Sequence, residues 1–218
     1  MKWSLLQHLL VAGEVNLENR PKRKPIVPSG VFGMVIFIIT EVMFFSGLVS
    51  AYLIIRAGLE EWPPWGQPRL PIESTAFNTL LLIISAFAVY QSRKLLKNNL
   101  ITKASQFHLG AILLGFCFLV LQGYEWVQLL QFGMTLSSSV YGALFYLIIG
   151  AHGLHVFGAL VLMTYGFVHF NREKSFETIS SNILPMQILW YFVVGIWPLL
   201  YTLVYFCLLY TSPSPRDS

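Results

Sequence analysis

VFGMVIFIITEVMFFSGLVSAYLII, residues 31–55, is an unbroken apolar run that holds a single charged residue, Glu41. Such a run crosses a bilayer, because about 20 helical residues at ~1.5 Å each span a hydrocarbon core ~30 Å thick. A carboxyl group at that depth costs a few kcal/mol or more, so it faces protein or water and has a partner. Two further places share this character: Glu125 within LQGYEW, and the pair His152 and His155 within AHGLHVFGA. These residues carry more information about function than the remainder of the chain.

The composition agrees with a membrane chain. Of 218 residues, 56% are hydrophobic and 11% charged, whereas soluble domains have about a quarter charged. Mean hydropathy is +0.64, and the apolar residues are gathered into runs rather than spread out. A net charge of +4 would suit a nucleic-acid partner, but the basic residues fall between the apolar runs, where a membrane surface explains them and no nucleic acid is implied. Cys117 and Cys207 both lie in apolar runs without CxxC spacing, which argues against a disulfide framework or a zinc site. The first residues, MKWSLLQHLLVAGEV, interrupt a short apolar stretch with Gln7 and His8 and do not read as a signal peptide. No GxSxG, phosphate-binding loop or dinucleotide fingerprint is present, so soluble-enzyme chemistry is not indicated.

The expected fold class is all-α: a polytopic bundle of five transmembrane helices, over Gly30–Ile55, Ser74–Ser92, Ala104–Gln131, Ser138–Phe170 and Leu184–Leu209. Continuous apolar segments, rather than short alternating ones, argue against a barrel. Helix-start residues precede three of them: Pro28-Ser29, Glu73-Ser74-Thr75 and Ser137 to Ser139. Residues 1–29 read as a basic cytoplasmic tail, 30–209 as the membrane domain, and 210–218 as a disordered tail whose LYTSPSPRDS context resembles translated sequencing adapter. The N-terminal tail holds Lys2, Arg20, Lys22, Arg23 and Lys24. On the same side fall Arg93, Lys94, Lys97, Lys103, Arg172 and Lys174, against Arg56, Arg69 and Arg216 on the other. The positive-inside rule then puts the N-terminus in the cytoplasm and the C-terminus outside. The loop RAGLEEWPPWGQPRLPIE, with Trp62, Trp65 and its prolines, reads as an ordered interfacial loop with its aromatics at headgroup level.

Depth decides which buried polar groups can meet. Glu41 lies eleven residues past Gly30, about 16 Å along the first helix. His152 and His155 fall near mid-depth on the fourth, so Glu41 can approach them, while Glu125 lies nearer the outer face and suits a separate polar cluster. The two histidines, three residues apart, share one helix face, beside Gly150, Gly153 and Gly158 where another helix can come close. Metal or haem ligation is disfavoured: di-metal bundles use Glu-x-x-His pairs, absent here, and His108, His152 and His155 are the only histidines well placed in the spans. Hydrogen bonding between packed helices explains the histidines better. A buried protonatable carboxyl either relays protons or ties helices together, and the residue pattern leaves both open. Phe44-Phe45 reads as packing.

These residues resemble subunit III of the haem–copper cytochrome oxidases. TEVMFFSGLVSAYL (40–53), with Phe44, Phe45 and Tyr52, is similar to that family's S/T-E block. LQGYEW (121–126), with Trp126, is similar to its L-Q-x-x-E-aromatic block, and SVYGALFYLIIGAHGLHVFGAL (139–160), with Tyr141, to its Y-G…G-x-H-G-x-H-V block. WYFVVGIW (190–197), bounded by Trp190 and Trp197, matches the last helix, except that Tyr191 and Val194 stand where the family usually has His and Asp. Five spans resemble the short bacterial form.

The resemblance implies an accessory subunit of a proton-pumping terminal oxidase in a bacterial inner membrane, supporting proton supply, oxygen access and stability of the complex. It implies no catalytic residue and no metal in this chain, with haem and copper in the partner subunits I and II, bound phospholipid, and cytochrome c or quinol as donor through the complex. By the same resemblance Glu41 faces a lipid cleft or the subunit I contact, and Glu125, His152, His155 and Tyr141 form internal polar contacts. The alternatives are a small transporter or channel with Glu41 as its ion or proton site, an accessory subunit of a quinol oxidase or nitric oxide reductase, and a purely structural scaffold.

Overall fold

The computed structural model describes residues 28–59, 62, 72–172 and 176–205. They form five helices: α1 (Ser29–Ala57), α2 (Ile72–Lys97), α3 (Ile101–Gln131), α4 (Val140–Arg172) and α5 (Phe176–Val204). There is no strand among the described residues, and all five helices are long and apolar enough to cross a membrane. The basic tail and the polar C-terminal tail expected from sequence lie outside the described residues.

Two helices differ from their apolar runs in instructive ways. The α2 helix continues past Ser92 to Lys97, because Arg93, Lys94 and Lys97 are good helix formers and suit the negative end of the helix dipole. The α5 helix begins at Phe176, eight residues before the apolar run. Pro185 resembles a first-turn proline in sequence but lies inside the helix, preceded by the polar turns of ETISSN. Local chemistry accounts for the connections. Asn99 takes a left-handed conformation (φ 57°) in the tight α2–α3 turn, and Gly133 does so (φ 87°) after α3. Ser139 caps α4, its hydroxyl accepting from the Gly142 N–H at 3.0 Å.

Apolar burial does not hold transmembrane helices together, since lipid is as apolar as leucine; close packing and interhelical hydrogen bonds do. The α5 helix supplies both. Its Trp190 and Trp197 are fully buried, and their indole N–H groups donate to Ser85 (3.1 Å) and Thr79 (2.9 Å) on α2. Gly115 on α3 lies directly beneath the Trp190 ring, where a Cβ would collide with Trp190 and Leu160. A second cluster at the opposite end joins Leu96, Ala104, Phe170, Ile179 and Ile183, and there Ser92 donates to the Ala104 carbonyl at 2.7 Å.

The α1 helix is the outermost. Only Phe45 and Tyr52 are buried on it, while Phe32, Met43 and Ile54 are among many exposed apolar side chains. It packs on α5 and α4, with Gly30 close to Pro185 and Tyr52 donating to the Leu203 carbonyl at 3.4 Å. In the α1–α2 connection Trp62 is inserted edge-on between Tyr52 of α1 and Tyr141, at the start of α4, at ring separations of 5.6 and 5.1 Å, with 6% of its surface exposed. Its ring is held by packing against two buried tyrosines. Trp65 lies outside the described residues.

Replacing Gly115 by Val forces Trp190 out of its slot. Over-packing of this kind costs about 1–3 kcal/mol, so thermal denaturation in detergent is expected to show a clear drop in Tm, with Gly47→Val, where no atom approaches, close to wild type.

Candidate functional site

Glu41, on the fourth turn of α1, meets His155 of α4. Their Oε2 and Nε2 atoms are 2.8 Å apart, and the side chains are 15% and 19% exposed. Phe45 packs its ring edge against the imidazole at 5.2 Å, and Phe44 lies 6.1 Å from it, so the pair sits against aromatic walls. The second ring nitrogen fixes the chemistry. His155 Nδ1 lies 2.7 Å from the Ala151 carbonyl, and a carbonyl can only accept, so Nδ1 carries a proton. The Glu41–His155 contact therefore holds one shared proton, on the carboxyl of a neutral pair or on Nε2 of an ion pair. Either arrangement has zero net charge, which is what a hydrocarbon surrounding favours.

Glu125 belongs to a different cluster. Its carboxyl accepts from Thr75 Oγ1 (2.9 Å) and Asn78 Nδ2 (3.2 Å) of α2 and from Gln122 Nε2 (3.0 Å) on its own helix. The same Gln122 amide lies 3.4 Å from the Tyr205 hydroxyl, bringing the end of α5 to the cluster. Every one of these contacts uses the carboxyl as acceptor, so Glu125 ties α2 and α3 together with three donors. The separation of Glu125 from Glu41 and the histidines matches the depth reading.

The other expected polar contacts divide. His152 is 1% exposed but does not hydrogen-bond between helices. Both its ring nitrogens lack a hydrogen-bond partner, and its ring stacks on Trp197 at 4.8 Å with an interplanar angle of 25°. The Tyr141 hydroxyl is buried without a partner, its ring being held by Trp62 instead. So Glu125, His152, His155 and Tyr141 are not joined in one hydrogen-bonded network, and aromatic packing takes the place of hydrogen bonds for two. Trp126 is half-buried, with its ring edge against Tyr146 at 6.0 Å. Val194 is buried, and Tyr191 packs against the main core.

Thr75, Asn78, Gln122 and Tyr205 were not singled out from sequence. A signal existed: Thr75 with Asn78, and Gln122 with Glu125, are polar pairs three residues apart inside apolar helices, each on one face. These residues do not suit haem or a metal ion. His155 has both nitrogens engaged, His152 is covered by Trp197, and His108 donates to the Met163 carbonyl at 3.1 Å. Among the described residues no three His, Cys, Asp or Glu side chains form a group able to hold a metal.

Fold and site together define a polytopic membrane bundle with a Glu41–His155 pair and a Glu125 hydrogen-bond cluster inside its spans. The family model for cytochrome c oxidase subunit III matches residues 12–208, and the chain belongs to that family. It is 32% identical to cytochrome c oxidase subunit 3 of Synechocystis over 180 residues, covering 80% of this chain and 74% of the relative. It is 30% identical to the probable cytochrome c oxidase subunit 3 of Mycobacterium leprae over 197 residues, covering 90% and 94%. Membership makes it a multi-pass membrane protein and an accessory subunit of a haem–copper oxidase, an oxidoreductase complex with other subunits, and disfavours the transporter or channel alternative.

Glu125→Leu strands three donors at once. With roughly 0.6–1.7 kcal/mol per interhelical hydrogen bond in membranes, it is expected to lower the detergent Tm markedly, whereas Glu125→Gln, which keeps one acceptor oxygen, falls between it and wild type.

Proposed function

We propose that this chain supports proton supply and oxygen access to the catalytic subunit of a proton-pumping terminal oxidase, and that it stabilises the complex, with Glu41 as its proton-exchanging group. The observation that carries the proposal is the 2.8 Å contact between Glu41 Oε2 and His155 Nε2, with Nδ1 turned to the Ala151 carbonyl. A proton that moves between oxygen and nitrogen inside this pair leaves its net charge at zero, so Glu41 can hold an exchangeable proton in hydrocarbon. Nearly all of α1 around it is apolar surface, suited to bilayer lipid or to the neighbouring subunit I, and bound phospholipid is expected there. Subunits I and II supply the haem and copper; the electron donor, cytochrome c or quinol, reaches them and not this chain.

The complex resides in a bacterial inner membrane, with the N-terminus in the cytoplasm and the C-terminus outside. The asymmetry of Lys and Arg supports this orientation. In a cysteine-free background, Asn98→Cys is expected to react with an impermeant maleimide only after the cells are opened, and Ser137→Cys in intact cells. The reverse pattern sinks the orientation.

Glu41→Gln keeps the shape, and its amide N–H can still donate to His155 Nε2, but it has no proton to exchange. The haem-bearing complex is expected to assemble at the normal level, with proton-coupled turnover slowed or activity lost faster during sustained turnover. Normal sustained turnover would eliminate the relay role and leave Glu41 as a helix tie.

A further inference from the structure

Three successive residues of α5 have different surroundings. Trp190 donates to Ser85 of α2 at 3.1 Å, Phe192 sets its ring 6.3 Å from Phe45 of α1, and Tyr191 lies half-buried between them. The α1 and α2 helices both pack on α5 and hardly on one another. A stripe of α5 is therefore left uncovered between them: Gly195, Leu199 and Thr202 follow Tyr191 at helical spacing, and all three are exposed. A Cβ on Gly195 would meet no atom within 4 Å, so open space begins there at the helix backbone itself. From Tyr191 to Thr202 this trough runs about 16 Å, the depth of one leaflet's hydrocarbon.

The Tyr191 end of the trough is basic. Arg93 and Tyr90 of α2 lie within electrostatic reach of the Tyr191 hydroxyl. Tyr90, Arg93, Lys94 and Lys97 share one face of α2, at i, i+3, i+4 and i+7. Arg93 is half-buried and four residues, about 6 Å, from the end of α2, where its long side chain reaches the headgroup layer. Among the described residues no carboxylate pairs with any of these three cations; the ion pair found there joins Glu41 to His155. A guanidinium without a counter-ion at the mouth of an apolar trough suits an anion that brings its own hydrocarbon. A phosphate diester offers oxygens that match the guanidinium fork, and acyl chains that match the trough. We infer that the α5 trough between α1 and α2 holds an anionic phospholipid, with its phosphate against Arg93 and the Tyr191 hydroxyl and one acyl chain along Gly195 and Leu199. Phosphatidylcholine has the same phosphate, but its choline opposes the positive field of Lys94 and Lys97, so a net negative headgroup is selected. The site uses Tyr191, where the family usually has His, and needs neither the Glu41 pair nor the lipid expected along α1.

Photolabelling of the haem-bearing complex, reconstituted in phosphatidylcholine vesicles, tests this. Traces of phosphatidylglycerol or of phosphatidylcholine are added, each with the same diazirine in one acyl chain. Phosphatidylglycerol is expected to label peptides carrying residues 191–202 several-fold more strongly than phosphatidylcholine, and high salt to narrow the difference. Arg93→Gln is expected to bring the two lipids to the same level, and Gly195→Leu, which fills open space, to lower labelling by both. Haem content at the wild-type level certifies that each variant is assembled. Where Arg93→Gln fails that control, the ratio of the two lipids in the unaltered complex, at low and at high salt, decides. Equal labelling by the two lipids makes the trough a bed for any bilayer lipid and overturns the inference. So does a phosphatidylglycerol preference that survives Arg93→Gln, labelling undiminished by Gly195→Leu, or no labelling of these peptides above background.

Discussion

Hydrocarbon offers no water to a polar side chain, and most of what is particular about this chain follows from that constraint. A carboxyl placed inside the spans needs partners on the same or a neighbouring helix. Glu41 and His155 meet the requirement with one shared proton, and Glu125 with three donors from two helices. Because the partners lie on different helices, satisfying the polar groups also sets helix order and register: α1 against α4, and α2 against α3. The tryptophans of α5 extend the same logic to α2 through Ser85 and Thr79.

The two carboxyl sites are built differently, and that difference separates their roles. Around Glu125 every contact donates to the carboxyl, so moving a proton there would break bonds that join two helices. The Glu41 contact keeps one proton between two basic atoms and loses no hydrogen bond when the proton changes sides. It lies on the least covered helix, next to apolar surface that a lipid or another subunit can cover. Exchange at Glu41 and rigidity at Glu125 are therefore consistent with a subunit that carries no redox centre of its own.

Much of this was legible from sequence, because in a membrane chain composition and depth are strong constraints. The five spans, the meeting of Glu41 with His155 and the separate polar cluster of Glu125 all follow from apolar runs and a fixed rise per residue. What escaped depends on rotamers and on neighbours distant in sequence. The donors Thr75 and Asn78 are ordinary residues until α2 packs on α3. Sequence does not show that Trp62 packs between Tyr52 and Tyr141, residues far from it in the chain or on another helix. His152 and His155 share a helix face in sequence, yet one rotates onto Trp197 and the other onto Glu41. The early start of α5 was hidden because the apolar run begins only at Leu184, after the polar first turns of the helix.

The family assignment leads to one claim: this chain works as a packed accessory part of a larger haem-bearing assembly. Purifying it from its own membranes in mild detergent and recording a reduced-minus-oxidised spectrum tests that claim most directly. A haem signal that co-purifies with a large multi-span partner is the expected result. Quantitative recovery of the chain alone, without haem and without such a partner, would contradict it.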